Sequence, residues 1–299
     1  RIPSGSISLD IACGGGIPGG MMTHIAGDYS AGKSVLLYHI LANAQKMRKK
    51  EMPWEKYTRK GFSPTKWELS EEGDNFLAAL IQYETHSYAN KWGAGCGIDV
   101  NELLFVEPDG LEEGLNIAVT LQREHGIDII GIDSYAAALP TGIINTESGD
   151  SYQMGQKPKC LQDFHGRYQA TNNKRSREGQ LSCTLIALNQ IREKIGGFSP
   201  VPGQPQVYSP GGKSKDFTAA LELHLRKGEQ KTIGKDKNKV VIGQEVKFKV
   251  TKNKTYVPFK TGSYDFYFSE GGPVEPGCID NAKEVAIEAV TFSIIEQRG

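Results

Sequence analysis

The sequence predicts an α/β fold: a mostly parallel central sheet, an antiparallel extension and the start of a small C-terminal lobe. Three observations carry that expectation. Short apolar runs alternate with segments of helical periodicity through the first two thirds of the chain, which implies crossover units and a sheet covered on both faces. A glycine-rich loop, GDYSAGKS from Gly27 to Ser34, separates the first such strand from the first such helix. Beyond residue 216 the pattern changes to consecutive strands.

Taken in order, MMTHIA (21–26) reads as a short buried strand, and KSVLLYHILANAQKMR (33–48) carries apolar residues at helical spacing. Strands follow at 76–83, 103–106, 128–133 and 183–189, with helices at 111–124 and 158–175 between them. FTAALELHLRKG, VVIGQEVKFKVTKN and SYDFYFSEGG form the antiparallel extension, and DNAKEVAIEAVTFSIIEQ is a capped helix that begins the last lobe. Segments 49–75, 140–158 and 196–212 stand apart as loops, the first charged and aromatic, the last rich in proline and glycine.

Composition narrows the class. The 299 residues are 38% apolar and 23% charged, which describes a folded chain rather than a disordered or fibrous one. No apolar run approaches the ~20 residues that span a bilayer, so no membrane partner is expected. Five dispersed cysteines without a CxxC pair argue against a disulfide framework or a zinc site and suggest a reducing, cytosolic compartment. Thirty-five basic and thirty-five acidic residues cancel, so any contact with nucleic acid requires positive charge gathered locally. The chain opens on Arg1 rather than Met and carries no leader pattern, which suggests a longer natural N-terminus and argues against secretion.

The chemistry centres on the glycine loop. Gly27, Asp28, Tyr29, Ser30, Ala31, Gly32, Lys33, Ser34 and Val35 form a strand–loop–helix phosphate cradle, in which successive N–H groups and the helix N-terminus face phosphate oxygens. Lys33 would reach the β- and γ-phosphates, and Ser34 would ligate Mg²⁺. One hundred residues after Lys33, Asp133 ends the strand IIGID and is placed to orient the Mg²⁺ shell. Hydrolysis needs a carboxylate to polarise water, and Glu84 ends the strand ALIQYE in the same crevice; read alone, it is equally well a solvated strand-end acid. Asn189 or Gln190, at the end of another strand, could sense the γ-phosphate.

Together these residues resemble the bacterial RecA recombinase family, in a divergent, phage-type form. IPSGSISLDIACGGGIPGG, the phosphate loop, Glu84, GIDVNELL, IDSYAAALP, ESGDSYQMG, NQIREKIGG, Gly211–Gly212 and VTKNKTYVPF occur in the family's order over most of the chain. The resemblance implies a RecA-type ATPase core over 1–270 and a truncated C-terminal lobe over 271–299. It implies ATP and Mg²⁺, a homo-oligomeric helical filament with ATP between subunits, single-stranded and homologous duplex DNA as partners, and a bacterial or phage-infected cytoplasm. Residue by residue, Lys33, Ser34 and Asp133 match the nucleotide and metal ligands, Glu84 the water-activating base and Gln190 the γ-phosphate sensor. Lys252 and Lys254 match a pair that reaches the neighbouring subunit's γ-phosphate, and period-two alternation puts both on one strand face. Two DNA-binding loops correspond to 141–157, with Met154 as an apolar wedge beside Gly155, and 191–212, with Arg192, Lys194, Ile195, Gly196, Gly211 and Gly212.

The chain also departs from the family. An extra residue after Glu84 leaves Tyr88 or Trp92 to stack on adenine, and Gln153 shifts the register around Met154 by one. Asp216 stands where a lysine is expected, with Lys215 beside it. Segment 49–75 has no family counterpart and reads as a surface insertion, while the family's N-terminal docking segment and full C-terminal lobe are incomplete. A RecA-fold ring helicase or mediator ATPase would share the phosphate loop and strand-end acids, but not NQIREKIGG followed by KNK.

Overall fold

The computed structural model describes residues 1–53, 65–70, 74–84, 90–144, 155–193, 207–208, 212, 214–234 and 239–292. Its centre is an eight-stranded sheet. The strands are β1 (Met22–Gly27), β5 (Ala78–Gln82), β6 (Leu103–Val106), β7 (Ile129–Asp133), β8 (Thr184–Gln190), β11 (Leu221–Ile233), β12 (Val240–Asn253) and β13 (Thr261–Tyr267). They lie in the order β13-β12-β11-β1-β8-β7-β5-β6. Pairing is parallel from β11 through β6 and antiparallel from β11 to β12 and β12 to β13. The predicted parallel core with an antiparallel extension is therefore present.

Helices cover both faces, as two-sided burial of β1, β5 and β7 demands. On one face α2 (Lys33–Gln45) buries every residue from Leu36 to Ala42, and it shares a core cluster with α1 (Ile7–Cys13), which packs on β12 and β13. The other face carries α4 (Leu111–Glu124) and α6 (Gln156–Arg177), whose Leu115, Ala118, Leu161 and Phe164 pack on Ile130, Ile132 and Leu185. Ser6 caps α1, accepting from the Leu9 N–H at 3.2 Å. The buried Glu284 of α8 (Asn281–Thr291) accepts from Ser6 Oγ at 3.0 Å and Ser8 N at 2.9 Å, which ties the last helix to the first. Among the described residues no helix is long and apolar enough to cross a membrane.

Several segments differ from the sequence expectation: short helices stand at α3 (Asn90–Gly95) and at α5 (Thr141–Ile144), the second inside the expected 140–158 loop. Part of the 49–75 loop is a small antiparallel sheet, β3 (Thr65–Ser70), β2 (Arg48–Pro53) and β4 (Asp74–Asn75), and only β3, TKWELS, carries the alternation of charged and apolar residues that suits a strand. It is anchored by Lys49 Nζ, 2.7 Å from the buried Asp128 just before β7, with Arg175 3.9 Å from the other carboxylate oxygen. The first residues of FTAALELHLRKG belong to a short helix, α7 (Ser214–Thr218), and the strand begins only at Leu221.

Three histidines predict how the fold responds to acid. Burial pushes the pKa of His24 down to about 3 and those of His39 and His165 down to about 4. Unfolded, each would take up a proton near pH 6.5, so the native state binds fewer protons below that pH. Their stabilisation is complete above pH 6.5 and is lost as pH falls toward 4, at up to about 1.4 kcal/mol per pH unit for each histidine. Asp133, raised to about 6, acts in the opposite sense below pH 6, and burial raises Asp10, Glu222 and Glu284 as well, so the histidine loss is partly offset at lower pH. Thermal melts should show Tm steady above pH 6.5 and falling below it; a flat profile to pH 5 would mean that the imidazoles are solvated.

Candidate active site

The C-terminal ends of β1, β8, β7 and β5 open into a crevice of about 400 Å³, lined by Tyr29 to Val35, Glu84, Trp92, Asp133, Ser134, Gln190, Gln244, Phe266 and Phe268. This is the strand-end edge of a parallel sheet, where such folds gather loops and helix N-termini.

The phosphate loop is shaped by close backbone approaches. At Gly27 a Cβ would fall 2.5 Å from the Leu225 carbonyl of β11, so only glycine lets that strand pass. Gly32, at φ 83°, caps α2 in a left-handed conformation, and Ser30 also has positive φ, 52°. Gln244 of β12 donates to the Ser30 carbonyl at 3.2 Å and buttresses the loop from outside. Lys33 curls back over the loop, its ammonium donating to the carbonyls of Gly27 at 3.1 Å and Asp28 at 2.6 Å. Burial lowers its pKa, against the opposing pull of Asp133, Glu84 and Asp28. Tyr29 stands 80% exposed at the loop tip, with Lys227 Nζ 5.7 Å from its ring centroid.

The acids converge on the same point. Asp133 is buried at the end of β7 and accepts a hydrogen bond from Ser34. Burial pushes its pKa up to about 6, with Glu84 also raising it. Two residues beyond β5, Glu84 receives a hydrogen bond from Ser134 Oγ at 3.4 Å. Asn189 is buried and its side-chain oxygen accepts from the Gln190 N–H at 3.0 Å, whereas Gln190 itself lines the crevice. Trp92 lines it too, edge-on to Phe266 with ring centroids 5.9 Å apart; Tyr88 lies outside the described residues.

The donor set suits a nucleotide with a small hard cation. An ammonium, a loop with inward-turned backbone, a hydroxyl and a buried carboxylate with a raised pKa match Mg²⁺ held by one carboxylate and the phosphates themselves. Among the described residues no group of three or more His, Cys, Asp or Glu side chains could hold a metal ion unaided.

Lys252 and Lys254 lie at the opposite end of the sheet. Gln244 touches the phosphate loop, and Lys252 is eight residues further along β12, roughly 25 Å away at strand rise. No lysine side chain covers that distance within one subunit. The Lys252 ammonium donates to the Asp216 carbonyl and that of Lys254 to the Phe217 carbonyl at 2.8 Å, so α7 seats both. Burial and the neighbouring Lys254 lower the pKa of Lys252, while Glu222 and Asp216 oppose them.

The two candidate DNA loops are seen at their stems. Gly155, at φ 105°, caps α6, and Lys157 donates to the carbonyls of Ala136 at 3.0 Å and Ala138 at 2.7 Å. The second loop leaves the sheet through a two-residue ladder, β9 (Arg192–Glu193) against β10 (Val207–Tyr208). Gly212 returns beside α6, where a Cβ would lie 3.1 Å from Pro158. Met154, Lys194, Ile195, Gly196 and Gly211 fall outside the described residues.

Two features escaped the sequence reading. Gln244, Phe266 and Phe268 close the crevice from β12 and the end of β13; only the pairing of those strands reveals it, although Gln244 and Val246 alternate as a strand face should. The second is a strip of cations on the outer face of β11 and β12, where Arg226 pairs with Lys247 and His224 with Lys249. Arg226, Lys247 and Lys249 are exposed. Like charges set opposite one another cost stability, and within the strip Glu245, 3.5 Å from Lys247 Nζ, supplies part of the counter-charge. Their period-two spacing in LELHLRK and VKFKV was the available signal.

Comparison with known proteins gives a consistent picture. The family model described as the RecA N-terminal domain matches residues 1–52 and 69–272, and its break falls inside the 49–75 insertion. Protein RecA of Syntrophus aciditrophicus is 34% identical over all 299 residues, which span 73% of that relative. Protein RecA of Symbiobacterium thermophilum is 31% identical over 95% of this chain and 69% of its own length. That of Bifidobacterium breve is 33% identical over 96% of this chain and 62% of its own length.

Proposed function

The chain belongs to the RecA family, and from that premise we propose that it is a DNA-dependent ATPase that polymerises on single-stranded DNA and exchanges strands with a homologous duplex. One observation supports this reading above the others. The phosphate loop with Asp133 and Glu84 sits at one end of the sheet and Lys252 with Lys254 at the other, so each subunit carries two unlike halves of an active site.

In this reading Lys33 releases the carbonyls of Gly27 and Asp28 to meet the β- and γ-phosphates, and Gly32 to Val35 present backbone N–H groups and the start of α2 to them. Ser34 and Asp133 hold Mg²⁺, which when bound neutralises charge developing on the phosphate oxygens. Glu84, braced by Ser134, orients and deprotonates the attacking water. Gln190, last in β8 and two residues before the Arg192 ladder, links the γ-phosphate to the second DNA loop. Lys252 and Lys254 of the adjoining subunit face the charge that grows on the departing phosphoryl group. Single-stranded DNA lies against the two loop stems, and the Arg226, Lys247 and Lys249 strip adds the local positive charge that a chain of zero net charge requires.

Electron microscopy of the protein with single-stranded DNA and a non-hydrolysable ATP analogue tests the assembly. Open helical filaments are expected, with a strong loss of binding as salt rises; closed rings or unassembled subunits would overturn the recombinase reading.

A further inference from the structure

We propose that His165 is a positioning residue for the Lys252–Lys254 pair: a buried Tyr135–His165–Ser214 hydrogen-bonded chain ties α7, the seat of both lysines, to α6 and to the segment that follows β7. The inference rests on the cross-subunit role given to that pair above.

Tyr135 and His165 are each 1% exposed. The Tyr135 hydroxyl lies 3.3 Å from His165 Nε2, and His165 Nδ1 lies 3.1 Å from Ser214 Oγ. Burial and the nearby Lys215 push the imidazole pKa down to about 4, so the ring is neutral and can donate through one nitrogen while accepting through the other. One ring nitrogen therefore donates and the other accepts, and the Tyr135 and Ser214 hydroxyls, each able to do either, complete the chain. The ring is also held edgewise to Tyr135 and tilted on Phe164, with centroids 6.0 and 5.5 Å away.

Both ends of the chain are anchored to backbone that matters for the reaction. Tyr135 lies two residues beyond Asp133, and its N–H donates to the Leu188 carbonyl of β8 at 3.1 Å. Ser214 opens α7, and two and three residues on, the Asp216 and Phe217 carbonyls take the lysine ammonium groups. Lysine side chains carry large rotamer freedom, so a pair that must reach another subunit's phosphates gains from a fixed seat. A short helix of five residues has little rigidity of its own, and the imidazole supplies a lateral tie from α6. Sequence alone would read His165 as one more core residue on a helix.

The test compares His165→Leu, His165→Gln and Ser214→Ala in the full chain, following DNA-stimulated ATP turnover, ATP affinity and Tm. His165→Leu and Ser214→Ala should lower kcat about tenfold with KM for ATP within about twofold, as a small displacement of catalytic groups does. His165→Gln, whose amide both donates and accepts, should recover most of that loss. Wild-type kcat in Ser214→Ala, or equal losses in the Leu and Gln variants, would overturn the proposal. Should His165→Leu fail to fold, Ser214→Ala decides alone, because it removes only the last hydrogen bond. Full turnover in Lys252→Ala with Lys254→Ala would instead defeat the cross-subunit reading itself, whereas an inactive lysine variant beside wild-type His165 and Ser214 variants would defeat only this inference.

Discussion

Glu84→Gln is expected to bind ATP and single-stranded DNA like the parent chain while its DNA-stimulated hydrolysis falls by about 10² to 10⁴-fold, the usual effect of losing a general base. The substitution keeps the shape of the side chain and can still accept from Ser134 Oγ. It removes only the charge and the basic oxygen. Glu84 lies close enough to Asp133 and Lys33 to influence the proton affinity of both, which puts its carboxylate within the phosphate crevice rather than in bulk solvent. Single-turnover phosphate release separates this step from binding and product departure. Release at the parent rate would remove Glu84 as the base.

Lys252→Ala combined with Lys254→Ala is expected to lower DNA-stimulated turnover by about 10³-fold or more, the scale of cation fingers supplied in trans. Folding should survive, because both ammonium groups rest on exposed carbonyl contacts at the end of β12 rather than in the core. Mixing supplies the sharper measurement. Glu84→Gln subunits retain their lysines, and lysine-variant subunits retain their base, so a random equimolar polymer would contain complete sites at about one quarter of its contacts. Recovery toward a quarter of parental activity is expected from two inactive preparations. If the lysines served the phosphate loop of their own chain, mixing would restore nothing.

How much of this could be read from residues alone depends on the range of the signal. Asp133 and the phosphate loop are local signals, an apolar strand ending in an acid and a glycine turn leading into a helix, and both stand where those patterns imply. The parallel core was legible for the same reason, since strand and helix periods alternate cleanly from β1 to β8. The small sheet in 48–75 was not, because KKEMP and TKWELS are short and charged and their pairing joins residues up to 22 positions apart. Helix α7 was hidden by its own brevity, five residues directly before a strong strand pattern. Phe266 and Phe268 join the crevice through the antiparallel register of β12 and β13, a long-range fact that no window of sequence contains. The chain His165, Tyr135 and Ser214 joins residues 30 and 49 positions apart and is invisible for the same reason.

The placement of the lysine pair at the far end of β12 from the phosphate loop has an arithmetic consequence. With the proposed cross-subunit site, a run of n subunits would contain n − 1 complete sites, so turnover per subunit should climb with the length of the run, and a solitary subunit should be silent. The two tips of the run are also chemically unlike. One presents a nucleotide with no cation opposite it, the other a spare pair of ammonium groups with no nucleotide to meet. In the proposed polymer, subunits would therefore join and leave at two different kinds of end.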